Sequence, residues 1–177
     1  MEKPYIPIIL GTARVGRQSE KVAQAVLHIL KSREDIEVEL IDVKEYIHGR
    51  TIPPSENNKL TKPWQEIVKR ASAFLIVTPE YNHGYPGELK MLLDQDYDNY
   101  TGKLVVVCGV SKGIFGGTRV VENLLPVLRQ LGLIVSQFSI NVSRVVDFPE
   151  DPKLADEKFK ANVVKAADVL IQMAKIN

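Results

Sequence analysis

An alternation kept up along the whole 177-residue chain is the feature that most constrains its fold. Short apolar runs end at glycine, proline or polar clusters. Each is followed by a segment with apolar residues at helical spacing. The first run, Ile6 to Leu10, stops at Gly11, and Pro7 inside it predicts a strand reduced to Ile8–Leu10. Further strands are expected near residues 37–42, 73–77, 104–108 and 133–140. Helices are expected over 19–31 (Val22, Val26, Leu30), over 61–72 (Trp64, Ile67, Val68) and from Pro86 onward (Leu89, Leu92, Leu93). A fourth carries Val121, Leu124, Leu128 and Leu131 up to Gly132, with a kink or a tight first turn expected at Pro126, and a fifth runs from Phe159 to Ala174. Residues 43–60 are polar and hold Pro53-Pro54, which reads as a long surface loop. Strands apolar on both faces and separated by amphipathic helices specify a parallel sheet covered on both sides. The expected architecture is a doubly wound three-layer α/β domain over residues 1–177, with five parallel strands in the order 2-1-3-4-5. Ligand then belongs beyond the C-terminal strand ends.

Composition narrows the function classes. Lys and Arg number 23 against 22 Asp and Glu, a net charge of +1, which gives no pull toward nucleic acid or an anionic membrane. One cysteine excludes an intramolecular disulfide framework and a cysteine-based zinc site. No apolar run approaches the roughly 20 residues of a membrane helix. The chain passes from Met1-Glu2-Lys3-Pro4 straight into a strand with no secretory pattern, so a cytoplasmic setting is expected.

In the order 2-1-3-4-5 the strands 1, 3 and 4 are neighbours, and the loops that follow them are the unusual ones. The first loop runs from Gly11 to Ser19 with Thr12, Arg14, Gly16, Arg17 and Gln18 and no carboxylate. It joins a strand to a helix start, where free N–H groups and the helix dipole favour an anion, so it reads as a phosphate site. The alternative is a solvated turn with two surface arginines and Ser19 as a helix cap. It matches neither a Walker loop nor a G-x-G-x-x-G fingerprint. The second loop, Thr78-Pro79-Glu80-Tyr81-Asn82-His83-Gly84-Tyr85-Pro86, has the means to present backbone amides to a flat polar ring. The third, Gly109-Val110-Ser111-Lys112-Gly113-Ile114-Phe115-Gly116-Gly117, contains a literal G-x-S-x-G. A serine hydrolase elbow needs an acid and then a histidine downstream, and His28, His48 and His83 all precede Ser111. The loop therefore reads as glycine-rich backbone lining a ligand. Cys108 and Trp64 read as core, and Asp94, Asp96 and Asp98 as a solvated acidic stretch.

Together the three loops resemble the NADPH-dependent FMN reductase family, whose members are flavodoxin-like. The likeness rests on Gly11-Thr12-x-Arg14 with Ser19, on Pro79-Glu80-Tyr81-Asn82 with Pro86-Gly87 and Leu89-Lys90, and on Ser111-x-Gly113 with Gly116-Gly117. The family often continues with Leu-Lys-Asn and an Asp-Trp pair; here Met91 follows Lys90 and Gln95 follows Asp94.

The resemblance implies FMN as cofactor and NAD(P)H as reductant, with a quinone, azo compound, metal oxyanion or free flavin as acceptor. By this likeness the FMN phosphate sits on Thr12, Arg14, Gln18 and Ser19, within a loop that includes Gly11 and Gly16. The ring lies against Pro79, Glu80, Tyr81 and Asn82 beside His83, with Ser111, Gly113 and Gly116 on the third loop. Arg17 is open to two anions, the FMN phosphate or the 2′-phosphate of the nicotinamide cofactor. The flavin carries the chemistry, so no side-chain nucleophile or base is expected. Relatives are dimers or tetramers, which makes Tyr85 and Tyr97 candidates for subunit contact. The rival reading is a non-enzymatic flavodoxin-like electron carrier or flavin-binding regulatory module.

Overall fold

Strand β1 (Tyr5–Leu10) lies inside a parallel sheet, flanked by β2 (Glu37–Asp42) and β3 (Ala73–Pro79), with β4 (Leu104–Val110) beyond β3. The computed structural model describes residues 3–54 and 58–174; Met1, Glu2 and the part of the predicted surface loop at 55–57 lie outside them. The register sets Ile8 opposite Leu40 on one side and opposite Leu75 on the other. The order β2-β1-β3-β4-β5 is the one expected from the sequence.

Successive strand residues point to opposite faces, and the two cores follow that rule. Ile8, Leu10, Leu75, Val77, Val106 and Cys108 face a core closed by α1 (Ser19–Lys31) and α5 (Glu157–Ala174) through Val22, Val26, Val163 and Leu170. Ile9, Phe74, Ile76, Val105 and Val107 face the other core. It is closed by α2 (Lys62–Arg70), α3 (Gly87–Leu93) and α4 (Thr118–Gln130), through Trp64, Leu89, Leu92, Leu124 and Leu128. Full burial of one such side chain contributes about 1.5–3 kcal/mol. Trp64 is core as expected, and its indole N–H donates to the Tyr100 hydroxyl at 2.9 Å, which donates to Leu93 O at 3.1 Å. Burial pushes the Tyr100 phenol well above its usual value. Cys108 is buried on β4, and burial raises its thiol to about 12, the state of an unreactive core residue.

Two strand expectations are corrected. β1 starts at Tyr5 and includes Pro7. The registered pairing with β3 begins only at Ile8, so Pro7 sits just before the start of that ladder. The fifth strand, expected as one run over 133–140, is two pieces, β5 (Ile134–Val135) and β6 (Ile140–Val142), both paired with β4, which makes the sheet six-stranded. The break falls where the Ser136 hydroxyl accepts from the Phe138 N–H at 3.0 Å, a local bond that competes with the ladder. α4 runs through Pro126 as one helix. Among the described residues no helix is long and apolar enough to cross a membrane.

Candidate functional site

The three loops after β1, β3 and β4 meet at one sheet edge around a cleft of about 640 Å³, within the usual range for small-ligand sites. In the first loop the Gly11 N–H donates to Val77 O at 2.9 Å, which ties the loop start to β3. Buried Thr12 turns its hydroxyl toward the loop: it accepts from the Arg14 N–H at 3.3 Å and lies 3.4 Å from the Tyr81 hydroxyl. The Arg14 guanidinium rests 4.7 Å from the Tyr81 ring centroid, so two residues of the first loop meet Tyr81 of the second. Helix α1 begins at Ser19 with Gln18 in the capping position and no side-chain cap, so its first N–H groups stay open to an anion. Ser19 is not the cap; its hydroxyl is buried and has no partner.

Arg17, whose anion the sequence left open, is tied into the fold here. Its side chain is only 6% exposed and its guanidinium is doubly bonded to the Asp42 carboxylate, at 2.7 and 2.5 Å, with Thr12 O at 2.6 Å and Glu20 at 3.2 Å. Two carboxylates offset its charge, and the bonds brace the loop. Burial by itself would raise the Asp42 carboxyl, but bonds from Arg17 and from the Lys44 N–H outweigh that and hold it below its ordinary value. Asp42 ends β2, and its part in the loop had no signal in the sequence beyond its place at a strand end.

The second loop is a tight hairpin. Tyr81 and Gly84 exchange both backbone bonds, at 3.0 and 2.9 Å, across Asn82 (φ 49°) and His83 (φ 67°). Two positive φ angles at the turn centre define the mirror-image turn suited to a hairpin. Asn123 donates to His83 O at 2.7 Å and anchors the tip to α4. The Glu80 N–H donates to Val110 O at 2.8 Å, and the Tyr81 N–H is used in the hairpin. The expectation that this loop offers backbone amides thus fails for Glu80 and Tyr81. The Glu80 side chain, 10% exposed, lines the cleft instead; its Oε2 has no partner and its Oε1 lies 3.6 Å from Arg119.

In the third loop the Ser111 hydroxyl donates to Gly113 O at 3.1 Å, and no histidine lines the cleft among the described residues, so the hydrolase geometry is missing. The segment after β6 fastens this loop: the Arg144 N–H donates to Gly113 O at 3.1 Å and the Val145 N–H to Ser111 O at 3.0 Å. Of the predicted site residues, Arg14, Gly16, Arg17, Gln18, Ser19, Pro79, Glu80, Tyr81, Asn82, Ser111 and Gly113 line the cleft. Gly11, Thr12, His83 and Gly116 are not among its lining residues. Sequence reasoning missed Val15, Val110, Lys112, Phe115, Arg119 and Val145. Lys112 and Phe115 stood in the third loop, and Arg119 in the first turn of the helix after it, where a charge near a ligand end was a usable signal. Val15 and Phe115 are 98% and 56% exposed and give the mouth an apolar rim.

The fit to a flavin nucleotide is a matter of donors. A helix start with the orphaned Ser19 hydroxyl suits a phosphate, and the walls carry one buried, unpaired carboxylate oxygen. Comparison with known proteins points the same way. The profile of the NADPH-dependent FMN reductase family matches residues 4–146. An NAD(P)H-dependent FMN reductase of Saccharomyces cerevisiae is 26% identical over 165 residues, covering 82% of this chain and 85% of the relative. A quinone reductase of Escherichia coli is 26% identical, covering 88% and 85%. Among solved structures, the flavoenzyme NAD(P)H:acceptor oxidoreductase FerB of Paracoccus denitrificans superposes with a TM-score of 0.78 at 18% identity, covering 97% of both chains, a likeness of fold.

Proposed function

The chain belongs to the NADPH-dependent FMN reductase family, and from that premise we propose that its cleft serves electron transfer from NAD(P)H, by way of bound FMN, to a quinone. The cofactor pair and the oxidoreductase class come with the family. Choice of acceptor is the step beyond it. The observation that carries this choice is the apolar rim of Val15 and Phe115 at an open cleft, which favours a flat apolar oxidant over a metal oxyanion or a free flavin phosphate. Bacterial relatives named quinone reductases agree with it.

In this reading the α1 start, Arg14, Gln18 and Ser19 hold the phosphate, without Arg17. Pro79, Glu80, Tyr81 and Asn82 back the ring, and Ser111 and Gly113 border its pyrimidine edge. When bound, FMN supplies hydride acceptance and onward electron transfer. The chain's part is to bind and orient: the Tyr81–Thr12 and Tyr81–Arg14 contacts hold the first two loops together, and Val110 with the segment after β6 fixes the other side. We further propose a homodimer or homotetramer, supported by half-exposed Tyr97, and a cytoplasmic setting, supported by a free buried cysteine.

The deciding experiment follows NADPH and NADH oxidation by flavin-loaded protein with benzoquinone, an azo dye, chromate and free FMN in parallel. Quinone should give the highest kcat/KM. Faster turnover of another acceptor would overturn the choice, and turnover no greater than that of free FMN would restore the electron-carrier reading.

A further inference from the structure

Lys112 fills the open position of Ser111-x-Gly113, and both of its neighbours are pinned. The Val145 N–H donates to Ser111 O at 3.0 Å and the Arg144 N–H to Gly113 O at 3.1 Å. Lys112 itself is exposed and lines the cleft. The other charges there are committed. Arg17 is bonded to Asp42 and Glu20. Arg119 lies 3.6 Å from the Glu80 carboxylate and over the Phe115 ring at 4.7 Å. Arg14 and the α1 start meet the phosphate in the FMN reading. Lys112 has no ion pair and no hydrogen-bond partner among the described residues. Of the described charges lining the cleft, its ammonium is the one left uncompensated for a second ligand.

A charge at the mouth of a cleft discriminates by sign: it draws in an anion, repels a cation and is nearly indifferent to a neutral molecule. The rim of the same cleft is apolar, with Val15 98% and Phe115 56% exposed. An apolar rim and a free ammonium together fit a flat aromatic body with a negative group at its edge. Resting on the quinone reading above, we propose that the acceptor is an anionic quinone, one bearing a carboxylate or sulfonate, and that Lys112 selects it by charge. NAD(P)H, one proton from solvent and the quinone give NAD(P)+ and the hydroquinone, so two electrons and two protons reach the acceptor. The anionic substituent passes through unchanged, and Lys112 sets specificity without taking part in the bond changes.

1,4-Naphthoquinone and its 2-sulfonate share one ring system and differ in charge. They differ in reduction potential too, so the quantity to read is the ratio of their kcat/KM values with flavin-loaded protein. Comparing that ratio between wild type and variants cancels the difference in potential. Lys112→Ala should lower the sulfonate-to-neutral ratio about two- to fivefold, the range of a charge pair at an exposed site. Lys112→Glu should lower it further, and Lys112→Arg should keep it. Raising the salt from about 0.01 to 1 M shortens the screening length from about 30 to 3 Å, so the gap between wild type and Lys112→Ala should close. A disturbance of the loop lowers both quinones together. A ratio unmoved in Lys112→Ala and Lys112→Glu therefore overturns the proposal and leaves the quinone reading standing. The 2′-phosphate of NADPH is a second anion in the reaction. A shift in NADPH-over-NADH preference in Lys112→Ala, with the quinone ratio unmoved, gives the lysine to the nicotinamide cofactor and overturns the proposal as well. Wild type that turns over neither quinone faster than free FMN does removes both readings.

Discussion

Arg14 and Arg17 share one loop and have opposite surroundings. Arg17 is buried against Asp42 and Glu20, and its charge is spent inside the protein. Arg14 is exposed, meets no carboxylate and lies over the Tyr81 ring, a contact of about 0.5–1 kcal/mol at an exposed site that a phosphate can outcompete. A charge-assisted hydrogen bond contributes about 1.5–3 kcal/mol. Arg14→Ala should therefore weaken FMN binding about ten- to a hundredfold. Riboflavin, which lacks the phosphate, should bind wild type and variant alike. Titration of flavin-free protein with both ligands reads this directly, and equal FMN dissociation constants would place the phosphate elsewhere.

At the scale of elements, the third loop depends on two strands of backbone that nearly touch. Gly117 has φ +76°, and a Cβ there would lie 2.5 Å from Val110 N and 2.6 Å from Gly109 C. Neither contact can relax by rotating a side chain. The left-handed conformation costs a non-glycine residue about 1–2 kcal/mol, and overpacking adds about 1–3 kcal/mol. Gly117→Ala should lower the urea midpoint clearly. Gly113→Ala, whose Cβ would find only Ser111 Oγ at 4.0 Å, should leave it nearly unchanged. Equal midpoints for both variants would mean that the close approach at β4 carries no stability.

For the whole molecule, the topology brings loops from three separate strands to one edge, and the same edge carries the apolar rim. The tyrosine at 97 stands away from that core, half exposed, with a long 3.4 Å bond from Gln130. In the assembled state proposed here it is covered by a second copy. Light scattering should give at least twice the 19.8 kDa of one chain. Tyr97→Arg should reduce that mass. A wild-type monomer with full activity at assay concentration would end the assembly reading.

Local periodicity was enough for the layers of this protein. A run such as Leu104 to Cys108 is apolar at every position, and a helix such as Ser19–Lys31 is apolar along one stripe, so each declares how many of its faces are buried. The order 2-1-3-4-5 then placed Arg14, Ser19, Glu80, Tyr81 and Ser111 at one cleft, because the doubly wound topology leaves few alternatives. What a side chain does there depends on partners distant in the chain, and composition is silent about those. Asp42, 25 positions from Arg17, engages the guanidinium whose anion the sequence left open. Val145 reached the cleft because β6 pairs with the end of β4, beyond the break after β5. Glu80 kept one oxygen unpaired because the hairpin and β4 consumed the amides around it. Hydrophobic patterning repeats every two or 3.6 residues and is visible in any short window. Hydrogen bonds and ion pairs act over about 3 Å in space, so only the folded chain decides which of them form.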